Sequence, residues 1–185
     1  ITIVDGTYDA LLHQLRQADI DLIVGALRPT LPGGELTQET LFLDRLAVVA
    51  RAAHPLALRP RLGWKDLRDA AWIMPMPNTP AQVAFEQALR VAGVPIPADA
   101  LRVNSALMMQ ALLTQSDRLA LMSPRHLRAD IRAGLLAELP VPVRHEPRMI
   151  GLVRRTGYLP TPAAQALLDA LRRVARQIAD DTDPS

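Results

Sequence analysis

Between Leu41 and Leu56 the chain reads Leu-Phe-Leu-Asp-Arg-Leu-Ala-Val-Val-Ala-Arg-Ala-Ala-His-Pro-Leu, an apolar run closed by a proline. Core strands of globular domains have about five or six residues. A run this long reads as one extended strand, from about Leu43 to Arg51, that leaves one subdomain and enters another. Two-lobed α/β proteins hold small ligands in the crevice beside such a crossing, and its opening or closing can carry a signal.

The rest of the chain alternates short apolar runs with amphipathic stretches. Ile1–Val4 is β-branched and reads as a strand closed by Asp5-Gly6, as in a piece of a longer protein. Tyr8, Leu11, Leu12 and Leu15 then recur at helical spacing behind Thr7, a residue suited to cap the helix. Ile20 to Leu27 reads as a buried parallel strand, and Leu31 to Gly34 as a turn. Gly63–Leu67 predicts a short helical turn and Trp72–Pro75 a strand. Thr79-Pro80 opens a helix that runs to about Ala92, with Gly93 closing it. Leu101–Val103 predicts a strand. Asn104-Ser105 caps a helix to about Thr114, with Leu107, Met108, Ala111 and Leu112 as its buried stripe. Strands at 118–122, 135–139 and 149–153, a helix from Pro124 to Gly134 and a last helix from Thr161-Pro162 to Asp180 complete the pattern. Residues 181–185 read as a polar tail. The alternation defines an α/β class with mainly parallel sheets.

Composition narrows function more by exclusion than by assignment. With no cysteine, thiol catalysis and disulfides are ruled out. The sequence pI is near 9.6, yet 21 Lys plus Arg against 19 Asp plus Glu leaves a net charge of +2, with the cations spread along the chain. That spread and an aromatic content of 3% argue against a nucleic-acid interface on this segment. No apolar run approaches the ~20 residues of a membrane span. The four histidines, His13, His54, His126 and His145, fall at no metal-ligand spacing. Neither a nucleophile elbow nor a phosphate loop occurs, and Asp180-Asp181 reads as a solvated end.

Three strand-to-helix junctions carry hydroxyl or amide side chains: Gly6-Thr7, the loop from Met74 to Thr79, and Asn104-Ser105. At the carboxyl ends of strands in an open sheet, helix amino termini attract anions and hydroxyl-rich ligands. Each residue also serves as an ordinary helix cap. Methionines such as Met76, set between two prolines, supply either an adaptable pocket wall or core filling.

In their order and spacing these pieces resemble the effector-binding domain of LysR-type transcriptional regulators, which has the fold of a type 2 periplasmic binding protein. The resemblance is carried by Asp19-Ile20-Asp21-Leu22-Ile23-Val24-Gly25, by Leu41 to Ala50 running into His54-Pro55-Leu56, by Leu67-Arg68-Asp69 before Trp72-Ile73-Met74-Pro75, and by Ala120-Leu121-Met122-Ser123-Pro124 as the return crossing. It covers nearly the whole chain. Val4-Asp5-Gly6 and Gly25-Ala26-Leu27-Arg28 are similar to regulators of sugar-binding-protein and aromatic-acid genes. Ser116-Asp117-Arg118 stands where members often have a Gly-x-Gly turn.

The resemblance implies an α/β fold of two Rossmann-like lobes, residues 1–48 with 124–185 and residues 49–123, joined by two crossing strands, with the family's first strand and helix missing. It implies a cytoplasmic, non-enzymatic regulator that senses a small polar or anionic metabolite in the inter-lobe cleft and uses no cofactor, catalytic residue, metal or membrane. The effector contacts it implies are Gly6, Thr7, Pro75, Met76, Asn78 and Thr79, with Asn104 and Ser105 by weaker analogy. It implies a homodimer or homotetramer built on the edges Ile1–Val4 and Leu101–Val103, and DNA binding through an N-terminal winged helix-turn-helix not present in these residues. The alternative on the same fold is a solute-binding protein of a transport system; an enzyme is a more distant one.

Overall fold

The computed structural model describes residues 1–31 and 34–180; part of the expected turn at 31–34 and the tail at 181–185 lie outside them. In chain order the elements are α1 (Tyr8–Gln17), β1 (Leu22–Ala26), β2 (Leu36–Asp44), β3 (Ala47–Arg51), β4 (Ala71–Met74), α2 (Pro80–Ala92), β5 (Leu101–Arg102), α3 (Ala106–Gln115), β6 (Arg118–Met122), α4 (Arg128–Arg132), β7 (Leu136–Glu138), β8 (Arg148–Arg155) and α5 (Pro162–Asp180). Short 3-10 turns at Pro55–Leu58, Trp64–Leu67 and Pro124–Leu127 link them. Among the described residues no helix is long and apolar enough to cross a membrane.

The chain forms two compact units, Ile1–Asp44 with Arg148–Ser185, and Arg45–Pro147. The first boundary falls close to the expected one. The second lies well beyond the expected 123/124, because the chain after β6 stays in the second unit: β7 pairs with β3, and Leu127 and Leu136 join the core around Val49 and Ile73. The apolar run that reads as one strand is two, β2 and β3, broken at Arg45-Leu46. All of Ala47 to Ala50 is buried, since β3 is an interior strand of its sheet and covered on both faces, whereas β2, an edge strand, is buried only at Leu36 and Asp44.

The first unit is a three-stranded sheet, β1-β8-β2, with β8 antiparallel to both neighbours. The Ile20–Leu27 run therefore forms an antiparallel strand, and β1 is partly exposed rather than doubly buried. Its core gathers Leu12 and Leu15 of α1 against Ile23, Leu27, Leu36 and Val153. Ile1–Val4 is not a strand. Among the described residues no strand pairs with it, and Ile1 and Ile3 are 85% and 91% exposed. Between this segment, β1 and the α5 residues Leu167 and Leu171 runs a groove of about 770 Å³.

The second unit has five strands in the order β5-β4-β6-β3-β7. β4 is parallel to β5 and β6, while β3 is antiparallel to β6 and β7, so this sheet is mixed where a mainly parallel one is expected. On one face Trp64 stacks on Trp72, with ring centroids 6.1 Å apart, and Phe85 of α2 meets Trp72 edge-on at 4.7 Å. Trp72 and Phe85 are fully buried, and Trp64 Nε1 donates to the Pro142 carbonyl at 2.9 Å. On the other face α3 packs through Met109, Leu112 and Leu113. The expected stripe is thus rotated: Leu107 and Met108 are 76% and 53% exposed.

Candidate functional site

The parallel pairing in the second unit decides which candidate residues meet. Ile73 and Met74 lie opposite Leu101 and Arg102, and Ala71 to Ile73 lie opposite Arg118 to Ala120. The carboxyl ends of β4, β5 and β6 therefore share one edge of the sheet. From that edge leave the loop Pro75–Thr79, the link Val103–Ser105 and the turn at Ser123. Pro75, Met76, Asn78, Thr79, Asn104 and Ser105 thus lie on segments that leave one edge of this sheet.

The β4–α2 loop is shaped by its own polar groups. Thr79 caps α2: its hydroxyl accepts from the Gln82 N–H at 3.2 Å and donates to the Met76 carbonyl at 2.7 Å. With both roles in use, Thr79 holds the loop closed rather than offering a free donor. Asn78 has φ 59°, the left-handed region that asparagine visits more readily than most residues. Its N–H donates to Gln82 Oε1 at 2.7 Å, and Gln82 Nε2 donates to Glu86 Oε1 at 2.8 Å. Pro75 is buried, Met76 and Thr79 half-buried, and Asn78 exposed.

Ser105 caps α3 by accepting from the Met108 N–H at 3.3 Å, while Asn104, beside it, is exposed and its amide meets no partner among the described residues. The first turns of α2 and α3 leave amide N–H groups without intrahelical acceptors, and each helix dipole places partial positive charge at this edge. The edge therefore suits a ligand that accepts hydrogen bonds or carries negative charge.

Two residues on this edge are absent from the sequence-derived set. Arg102 donates through Nη1 to the Pro75 carbonyl at 2.6 Å, joining β5 to the loop. Its signal in the sequence is a cation at the end of a short strand, immediately before the Val103-Asn104-Ser105 link. Ser123 is buried and its hydroxyl accepts from the Arg125 N–H at 3.2 Å; the sequence marks it only as part of the return crossing.

Gly6 and Thr7 belong to the first unit. Thr7 is the N-cap of α1, accepting from the Ala10 N–H at 3.4 Å, and both residues are exposed.

Two histidines have well-defined bonding outside these junctions. His54 is buried; its Nδ1 accepts from the Leu56 N–H at 3.0 Å, and Nε2 lies 3.2 Å from the Asp117 carbonyl. His145 Nε2 accepts from the Leu46 N–H at 3.0 Å. Both are structural ties. Asp117 sits below the usual carboxylate range because the Arg51 guanidinium bonds to it. Among the described residues no group of three or more metal-ligating side chains converges.

Comparison with known proteins gives a consistent result. The family model for the LysR substrate binding domain matches residues 1–176. The chain is 34% identical over 170 residues to the HTH-type transcriptional regulator GalR of Pseudomonas putida, covering 92% of this chain and 43% of that protein. Among solved structures, the CcmR regulatory domain of Synechocystis PCC6803 in complex with 2-PG superposes with a TM-score of 0.71 at 19% identity, covering 91% of this chain and 80% of that one. The effector-binding domain of QuiR in complex with shikimate has a TM-score of 0.71 at 17% identity, covering 93% and 79%.

Proposed function

Because this chain belongs to the LysR substrate-binding-domain family, we propose that it is the sensing part of a cytoplasmic regulator, recognising a small polar or anionic metabolite and passing its occupancy to a DNA-binding segment. The domain is an effector-binding and oligomerisation module of the LysR type, not an enzyme. It spans less than half the length of the GalR relative, so the winged helix-turn-helix and the DNA contact are proposed for residues outside this chain.

The observation that carries the reading is the parallel β5-β4-β6 arrangement, which delivers the Pro75–Thr79 loop and Asn104-Ser105 to one polar edge with two helix amino termini. We assign effector contact there to Pro75, Met76, Asn78, Asn104 and Ser105, with Thr79 holding the loop in shape; Gly6 and Thr7 of the first unit are candidates by the family resemblance alone. CcmR with 2-PG and QuiR with shikimate support a ligand of that polar class. Self-association into a homodimer or homotetramer is proposed through the segments Ile1–Val4, where Ile1, Ile3 and Val4 are exposed, and Leu101–Val103, where Leu101 is.

A ligand that binds one conformation better shifts the population toward it, and a tenfold shift needs about 1.4 kcal/mol of differential affinity. The test is a thermal-shift screen of small polar metabolites. A stabilising metabolite should lose its effect in Ser105→Ala and Asn104→Ala proteins that melt normally when free. Full stabilisation in both variants would refute this placement.

A further inference from the structure

We propose that Arg102 selects the effector's charge, its guanidinium receiving the carboxylate of a small organic acid at the carboxyl edge of the second unit's sheet. The proposal rests on the effector-binding reading above and narrows it to a ligand class. Arg102 is the last residue of β5 and lies opposite Met74, the last residue of β4, so it stands where the β4–α2 loop begins. Nη1 is held by the Pro75 carbonyl at 2.6 Å. A neutral carbonyl orients the guanidinium without cancelling its charge. That is unlike Arg16, Arg51 and Arg172, which bond to the carboxylates of Glu35, Asp117 and Glu39.

Arg102 has no other partner among the described residues, and it is exposed. A guanidinium has five N–H donors in a planar fork, so with one arm fixed the remaining donors still match the two oxygens of a carboxylate. The exposed amide of Asn104, two residues on, is assigned a hydroxyl of the same ligand. One fixed cation and one amide fit a monoanionic hydroxy acid.

The experiment is calorimetric titration of the protein with small hydroxylated carboxylic acids, shikimate among them, each paired with its methyl ester, and with inorganic phosphate. At least one acid should bind, with its ester at least tenfold weaker, a difference of about 1.4 kcal/mol. Arg102→Gln should weaken that acid tenfold or more while leaving the ester unchanged, and Arg102→Lys should fall between. Melting curves establish that both variants fold; if Arg102→Gln does not, the comparison is made on Arg102→Lys, for which at least a threefold loss of the acid is expected. The proposal is overturned if no acid binds, if ester and acid bind alike, if phosphate is preferred, or if the folded variant keeps its affinity for the acid. Ser105→Ala separates the two levels of inference: loss of acid binding there but not in the Arg102 variants leaves the effector site standing and removes Arg102 from it, whereas loss in neither removes both.

Discussion

Arg172 of α5 grips both carboxylate oxygens of Glu39 on β2, Nε to Oε1 at 2.7 Å and Nη2 to Oε2 at 2.8 Å, and so ties the last helix to an edge strand of the first unit. The hydrogen bond from Arg172 holds the Glu39 carboxyl below its ordinary value, against a smaller opposing effect of burial. A carboxyl with a depressed folded pKa contributes stability above its unfolded value, near 4.3, and loses it as pH falls through the lower folded value. Both side chains are about one-third exposed, so solvent screening keeps the contribution to the order of 1 kcal/mol or less. Glu39→Gln should lower the melting temperature slightly at pH 7, and the difference from the parent should fade as the pH is taken below the ordinary carboxylate range and Glu39 becomes protonated in the folded state. Melting curves across that range check it; a gap that widens in acid would contradict the assignment.

Asp44 and Arg148 form the most deeply buried ion pair among the described residues of the first unit, joining the last residue of β2 to the first of β8, with side chains 2% and 14% exposed. Removing one partner strands a buried charge, at a cost of about 3–5 kcal/mol. Asp44→Ala should lose that much in urea unfolding. Asp44→Leu combined with Arg148→Met should recover most of it, because an apolar pair escapes the desolvation cost. A double variant as unstable as the single would contradict this account.

Gly151 sits in β8 between β1 and β2, where a Cβ would come within 2.1 Å of the Glu39 carbonyl oxygen and 2.8 Å of Leu27 Cδ1. The neighbour is backbone and cannot swing aside, and the register of β2 against β8 already shifts nearby, between Thr40 and Phe42. Gly151→Ala should therefore cost about 3 kcal/mol or more, at or beyond the usual range for overpacking. Gly25→Ala in the adjacent strand, where a Cβ meets nothing within 4 Å, is the matched control and should stay close to the parent.

How much of this was readable in advance depends on how many local signals agreed. α2 is legible from end to end because Thr79, Pro80 and Gly93 each specify a helix terminus by their own chemistry. The same holds for Thr7 and Ser105 as caps. α3 is legible in extent but not in orientation: Ala-Leu-Met-Met-Gln-Ala-Leu-Leu is apolar all round, so no face announces itself, and the buried side turned out to hold Met109, Leu112 and Leu113. The break at Arg45-Leu46 escapes a reading by hydrophobicity, since Leu41 to Leu43 before it and Leu46 to Ala50 after it are apolar and no glycine or proline marks the join. Strand direction and the return of β7 to β3 are pairings between distant residues, which periodicity does not encode. Arg102 is not legible for a related reason, because its meaning comes from the Pro75 carbonyl 27 positions away.

The last prediction separates the shape of the candidate site from its chemistry. The Thr79 hydroxyl is committed on both sides, donating to Met76 and accepting from Gln82, so Thr79→Val removes an N-cap and the tie that closes the loop. Loss of such a cap costs about 1 kcal/mol. Thr79→Ser keeps both bonds and should retain stability and ligand affinity alike. Thr79→Val should lower the melting temperature and weaken any ligand held at this edge, because a loosened loop must be reordered on binding. Raising ligand concentration should restore full occupancy without changing the preference for acid over ester, since that preference is assigned to Arg102. A changed acid-to-ester ratio in Thr79→Val would show instead that the hydroxyl touches the ligand directly.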